Sequence, residues 1–277
     1  MHISQARLAE LNEKCRQYRI ELLKLLHSIQ TGHPGGSLSC MEIVTTLYEE
    51  VMNVNPQNPH DPDRDRFVLS KGHCAPTLYL NLAHKGFFPV DDLPTLRQID
   101  SHLQGHPCAH KTPGIDFSTG PLGLGFSGAI GMALAARVNG RHYYTYTLLG
   151  DGEIQEGGVW EAAMSASKFK TDNLIAILDL NGVQLDGTTE EIMPMGDVSA
   201  KFRSFGWNTI EINGHDISAI CDAVAQAKAH KGQPTMIVAH TVKGKGVSFM
   251  EGKSGWHGKA IGDADLEAAL KELEVQA

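Results

Sequence analysis

Tyr143-Tyr144-Thr145-Tyr146-Thr147-Leu148-Leu149-Gly150-Asp151-Gly152, followed through one helical segment by Leu174-Ile175-Ala176-Ile177-Leu178-Asp179-Leu180-Asn181, is the stretch whose reading decides the fold. Both ends are rich in aliphatic, aromatic and β-branched residues and stop at Gly, Asp or Asn. That is the pattern of buried strands. Gln155 to Phe169, between them, reads as a helix. Strand, helix and strand make a βαβ unit, so the two strands are parallel and Asp151 and Asn181 leave the sheet at one edge. A carboxylate and an amide oxygen are hard ligands that suit Mg²⁺, or Ca²⁺ or Mn²⁺, better than zinc. Gly150 and Gly152 let backbone approach phosphate oxygens where a Cβ would collide. An Asp-Gly turn beside an unrelated Asn explains a bare Gly-Asp-Gly. With the strands and the spacing added, the pattern favours a divalent metal that holds a diphosphate.

Outward from this unit the alternation continues. Leu8, Leu11, Cys15, Tyr18, Leu22, Leu25, Leu26 and Ile29 recur at helical spacing, so residues 4–30 read as a helix that ends at Thr31-Gly32-His33-Pro34-Gly35-Gly36. Ser37 to Val51 reads as a second helix, Phe67-Val68-Leu69 as a short strand and residues 75–85 as a helix. From Asp100 to Leu122 histidine, proline and glycine break every period. A loop that long inside a compact domain is usually functional. Gly123 to Val138 reads as a helix of small residues. Beyond the βαβ unit, strands are expected near Trp207–Ile212 and Thr235–Ala239, with helices at 216–230 and 263–273. The expected fold is α/β, a mainly parallel central sheet with helices on both faces, in one domain over residues 1–277.

Composition narrows the function. The chain has 277 residues, 42% of them hydrophobic, and a net charge of −8. Without a basic run, nucleic acid is not an expected partner. No apolar run is long enough to cross a membrane, and a start with His2, Ser4, Gln5 and Arg7 shows no secretory signal. Five scattered cysteines form no CxxC pair, which suggests a reducing, cytoplasmic setting. Fourteen histidines are many. Four stand in glycine-rich loops: His33, His73 in Ser70-Lys71-Gly72-His73, His106 in Gly105-His106-Pro107, and His257 in Gly255-Trp256-His257-Gly258. A single such histidine is most simply a solvated loop residue. Four, together with the Asp151/Asn181 pair, suggest imidazoles that hydrogen-bond phosphate or hydroxyl oxygens and move protons near pH 7. Lys243 and its neighbours would add positive charge for phosphate.

These residues resemble the thiamine-diphosphate enzymes, and the transketolase family closely. TGHPGGSLS at 31–39, SKGH at 70–73, GHP at 105–107 followed by GPLG at 120–123, GDGEIQEG at 150–157 and KGKGVSFMEGKSGWHGK at 243–259 all look like transketolase segments in transketolase order. The resemblance runs from about residue 10 to 275. It implies thiamine diphosphate held through Mg²⁺, with Asp151, Asn181 and the Val183 carbonyl as protein ligands. Gly152 and His73 would contact the diphosphate, and Gly120 and Leu122 would lie against the cofactor through backbone atoms. His33, His73, His106 and His257 would be the catalytic set, with His257 also reaching the diphosphate. Lys243 and Lys259 would stand near that group. Glu156 and Glu161 match an acidic pair that links two active sites across the family's dimer.

The resemblance implies transfer of a two-carbon glycolaldehyde unit from a ketose phosphate to an aldose. It also implies a partner, since the family's pyrimidine-binding domain, its activating glutamate and its sugar-phosphate arginines are not recognisable in this sequence. The expected assembly is an α2β2 heterotetramer with a C-terminal-type subunit, and this chain alone should be inactive. Related alternatives are a subunit of a deoxyxylulose-phosphate synthase-like or 2-oxo-acid dehydrogenase-like enzyme. A non-catalytic cofactor-binding remnant is a third. A Rossmann dinucleotide binder fails on motif, because no GxGxxG follows an early strand.

Overall fold

The computed structural model describes residues 3–275; His2 lies outside them. Five strands form one wholly parallel sheet in the order β1-β2-β3-β5-β4: β1 Arg66–Leu69, β2 Thr145–Gly150, β3 Leu174–Leu180, β4 Asn208–Asn213 and β5 Thr235–His240. The expectation of a mainly parallel sheet is met, and Thr145 pairs with Leu174 to give the βαβ unit its register.

Alternation along each strand explains why the strands read as nearly unbroken apolar runs. Phe67, Leu69, Ile175, Ile177, Ile237 and Ala239 point to one face. Val68, Leu174, Ala176, Leu178, Met236 and Val238 point to the other. Both faces are buried, so neither set is replaced by polar residues. Over the first face pack α1 (Gln5–Ile29), α2 (Pro34–Ser39), α3 (Met41–Thr46), α4 (Ala75–Lys85), α9 (Ile217–Ala229) and α10 (Asp263–Val275). Over the second lie α5 (Leu124–Val138), α6 (Gly157–Lys168) and α8 (Val198–Ser204).

Departures from the sequence reading have local causes. The helix expected from Ser37 begins at Pro34, where the proline's fixed φ suits a first helical turn, breaks at Cys40 and closes in one π turn, Leu47–Val51. Two short helices were not expected. In α7 (Thr189–Ile192), Thr188 and Glu191 form a capping box. Asp197 caps α8 by accepting from the Ala200 N–H. Each carries a cap signal but too few residues for a visible apolar period. The Asp100–Leu122 segment holds no helix or strand, as expected.

Candidate active site

Every strand's C-terminal end points to the same edge, and the histidine-bearing loops gather there. Thr31 to His33 links α1 to α2. Ser70 to His73 follows β1, and Gly150 to Gly152 follows β2. Asn181 to Gln184 follows β3, and Val242 to Lys245 follows β5. A cavity of about 350 Å³ opens between them. Its lining includes His73, Gly120, Leu122, Asp151 and Gly152. Glu156, Asn181, Val183, Lys243 and His257 line it as well.

The glycines of Thr31-Gly32-His33-Pro34-Gly35-Gly36 are explained by packing. A Cβ on Gly35 would stand 2.9 Å from the Trp256 carbonyl oxygen and 3.1 Å from the Lys243 side chain. A Cβ on Gly36 would stand 2.9 Å from Cys74 Sγ and 3.4 Å from His73 Nε2. The start of α2 is therefore pressed against the loops that carry Lys243, His257 and His73. The four imidazoles form one cluster, although His33 and His106 do not line the cavity itself. Ring centroids are 5.3 Å apart for His33 and His73, 5.4 Å for His33 and His257, 5.0 Å for His73 and His257, and 6.3 Å for His33 and His106.

Burial disfavours the charged form of three of these rings. His33 is pushed down to about 4 by burial and then by the charge of neighbouring His73; its Nδ1 is buried with no partner among the described residues. His257 is pushed down to about 3 by burial and by the Lys243 ammonium. Lys243 Nζ donates to His257 Nδ1 at 2.8 Å, so the ring proton belongs on Nε2. His106 is lowered by burial and by Arg97.

Asp151 is only 3% exposed. Its Oδ1 accepts from the Gly152 N–H at 2.8 Å and its Oδ2 from the Gly182 N–H at 2.5 Å. Burial, and then the nearby Asp179 charge, raise it to about 6. Asn181 Oδ1 accepts from the Val183 N–H at 3.1 Å, and the Val183 carbonyl accepts from Lys243 Nζ at 3.0 Å. A buried carboxylate, an amide oxygen and a backbone carbonyl fit a hard divalent cation. Among the described residues no group of three or more His, Cys, Asp or Glu could hold a metal. At Gly152 a Cβ would stand 3.0 Å from Gln184 Cβ, so the turn packs closely against the loop after β3.

Lys259 and Glu161 do not line the cavity. Lys259 lies over the Trp256 ring, 4.2 Å from its centroid, and 3.8 Å from Asp265, away from the cavity lining. Glu161 is exposed on α6 and likewise absent from the lining.

The structure adds residues that the sequence reading passed over. Asp179 is fully buried and pairs with Lys71. It also accepts from Ser39 Oγ at 2.5 Å, from the Thr241 hydroxyl and from Asn181 Nδ2 at 3.3 Å. One carboxylate thus ties α2 and the ends of β1, β3 and β5 together. Glu153 accepts from Ser70 Oγ at 2.5 Å, from the Gly123 N–H at 2.9 Å and from the Gly150 N–H at 3.0 Å, which fixes the Gly-Asp-Gly turn against the start of α5. A charged residue at the end of an apolar strand was the signal for Lys71 and Asp179.

Comparison with known proteins agrees with this arrangement. Residues 12–276 match the family model described as transketolase, thiamine diphosphate binding domain. The chain is 45% identical over 265 residues to the 6-deoxy-6-sulfo-D-fructose transketolase subunit of Clostridium sp. (strain MSTE9), covering 96% of each. It is 42% identical over 255 residues to an apulose-4-phosphate transketolase subunit of Phocaeicola vulgatus, covering 92% of this chain and 90% of that protein. A solved transketolase of Pichia stipitis in complex with sedoheptulose 7-phosphate superposes with a TM-score of 0.90 at 32% identity. The match covers 95% of this chain but only 40% of that one. The chain belongs to the transketolase family, and its residues 12–276 match the thiamine-diphosphate-binding domain of that family.

Proposed function

We propose that this chain is the N-terminal, single-domain subunit of a thiamine-diphosphate- and Mg²⁺-dependent transketolase. It would move a two-carbon glycolaldehyde unit from a ketose phosphate to an aldose and act only with a C-terminal-type subunit that carries the pyrimidine-binding domain. The observation that carries the reading is the joining of four clustered imidazoles to the Asp151–Asn181–Val183 oxygen set at one sheet edge. Relatives of the same length, named as transketolase subunits, support a two-chain enzyme, with two copies of each chain as the proposed assembly. Five free cysteines and the absence of any helix able to cross a membrane, among the described residues, are in keeping with a cytoplasmic place.

Thiamine diphosphate, when bound, supplies the carbon nucleophile and the electron sink for cleavage beside the ketose carbonyl. Asp151, Asn181 and the Val183 carbonyl would hold Mg²⁺. Gly152, His73, Lys243 and the backbone at Gly120 and Leu122 would seat the diphosphate and ring. His257 presents Nε2–H as a donor, because Lys243 occupies Nδ1. His33, neutral and with a free Nδ1, can take a proton from a substrate hydroxyl and return one to an acceptor oxygen. His106 and His73 would share the holding of the polyol. Glu156, exposed at the cavity rim, and Glu161 would face a second active site across the dimer.

The test is a transketolase assay with thiamine diphosphate and Mg²⁺, on this chain alone and co-expressed with a C-terminal-type subunit. Turnover in the pair and not in the chain alone is expected, with Asp151→Ala as the inactive control. Turnover by the chain alone overturns the partner requirement, and failure of the pair to bind the cofactor overturns the reading as a whole.

A further inference from the structure

Two of the five free cysteines lie behind the wall of the cavity, and transfer of a two-carbon unit uses neither. Cys40 sits where α2 breaks from α3, and Cys74 closes the short helical turn Gly72–Cys74 between β1 and α4. Both are fully buried, and their thiols hydrogen-bond each other. Gly36 locates both sulfurs. Its carbonyl accepts from Cys40 Sγ at 3.2 Å, and a Cβ on it would stand 2.9 Å from Cys74 Sγ. Gly36 and His73 are themselves on the cavity lining, so the thiol pair stands directly behind them.

Other buried cysteines in this chain show the ordinary case. Burial pushes the Cys15 and Cys221 thiols up, to about 12 and about 11, where they are inert. Burial acts in the same direction on Cys74 but is outweighed. The bond from Cys40, the His73 ring and the Lys71 ammonium all favour its thiolate and hold it well below the ordinary thiol value. Lys71 Nζ donates to the Gly36 carbonyl at 3.2 Å, which keeps that charge beside the pair. Burial and then the bond to Cys74 push Cys40 the other way. One sulfur is therefore the nucleophile, and its neighbour keeps a proton.

We propose that Cys40 and Cys74 form a modification site at which a hydroperoxide closes a disulfide and reversibly shuts the catalytic cavity. The Cys74 thiolate attacks the peroxide: an S–O bond forms, the O–O bond breaks, and the leaving hydroxide becomes water with the proton that Cys74 had given up. The Cys40 sulfur then attacks Cys74: an S–S bond forms, the S–O bond breaks, and hydroxide leaves as water with the Cys40 proton. Each sulfur is oxidised by one electron, and both peroxide oxygens end as water. A disulfide is far shorter than a contact between two thiols. Closing it draws the α2–α3 junction toward the turn after β1. These segments adjoin His33 and His73, whose ring centroids are 5.3 Å apart, and the tight contact at Gly36 leaves no slack between them. The site goes beyond the transketolase reading, which only the turnover readout needs.

The experiment treats the two-chain enzyme with hydrogen peroxide, maps its peptides without reductant, and follows turnover and thiamine-diphosphate binding by tryptophan quenching. Cys40 and Cys74 should be found joined. Turnover should fall roughly 10- to 100-fold, the effect of displacing catalytic groups by about 1 Å, and dithiothreitol should restore it. In Cys40→Ser, Cys74 has no resolving thiol and should pass on to the sulfinic acid, so that dithiothreitol no longer rescues. Peroxide that oxidises the exposed part of the protein but leaves Cys40 and Cys74 unlinked would overturn the proposal. A linked pair with unchanged turnover and cofactor binding would overturn it as well. Absence of turnover before any peroxide is added would sink the transketolase reading instead; the peptide map and cofactor binding would still decide the disulfide.

Discussion

His33 illustrates how a residue's surroundings set its chemistry. Its imidazole is held well below its ordinary value of about 6.5, mainly by burial. In the unfolded chain the same ring takes up a proton near that ordinary value. As pH falls from about 6.5 toward about 4, the unfolded state binds the proton first, so stability is full above this window and is lost within it. His257 and His106 act in the same direction, whereas Asp151, raised toward about 6, acts in the opposite one. The difference between wild type and His33→Gln isolates one term. Urea unfolding at pH 7.5 and pH 5.0, without cofactor, should show a smaller loss of stability in the variant; identical slopes would contradict the burial argument. At Asp179 a different rule applies. Lys71→Met leaves a fully buried carboxylate without its ammonium, and a loss of about 3–5 kcal/mol in unfolding free energy is expected from denaturant titration.

At the scale of elements, the Gly-Asp-Gly turn is held by Glu153 and not by the glycines alone. One carboxylate joins the end of β1, the start of α5 and the end of β2. Glu153→Gln keeps the volume but leaves one oxygen to serve three donors. It should cost about 1–3 kcal/mol and weaken thiamine-diphosphate binding, read by tryptophan quenching on cofactor titration. Unchanged cofactor affinity would mean that the turn holds its shape without this acceptor. A second brace sets the Lys243 loop. Glu42 is salt-bridged to Arg19 at 2.5 Å and accepts from His215 Nδ1 at 2.9 Å, while His215 Nε2 accepts from the Val242 N–H at 2.9 Å. Helices α1 and α3 thereby brace a loop of the site through His215, which follows β4.

At the scale of the whole molecule, a net charge of −8 coexists with a site that would take anions. Lys243, a local cation on the cavity lining, does what the global field does not. Near the cavity, Leu122, Leu124 and Leu185 are exposed, with Met193 further along the same loop region. Such a rim is unfavourable in water and suits burial against another chain. Co-expression with the C-terminal-type subunit should raise the melting temperature of this chain and reduce its self-association in size-exclusion chromatography. A melting temperature indifferent to the partner would argue against that contact.

The sequence by itself determined the layered α/β order, the parallel βαβ unit and the Asp151–Asn181 pair. Each is carried by local signals: hydrophobic period, glycine punctuation and ligand type within a short span. It also marked the four histidines as unusual, because glycine-rich loops seldom carry so many. It did not fix the surroundings of Lys259, which the resemblance put near the diphosphate and the structure sets over the Trp256 ring, since an exposed charged side chain on a loop is not held by its neighbours in the chain. Only the tertiary structure decided that Asp179, Lys71 and Glu153 belong with the site. Most of their partners are far away in sequence, and a buried carboxylate or ammonium looks like any surface charge until the elements that desolvate it are packed around it.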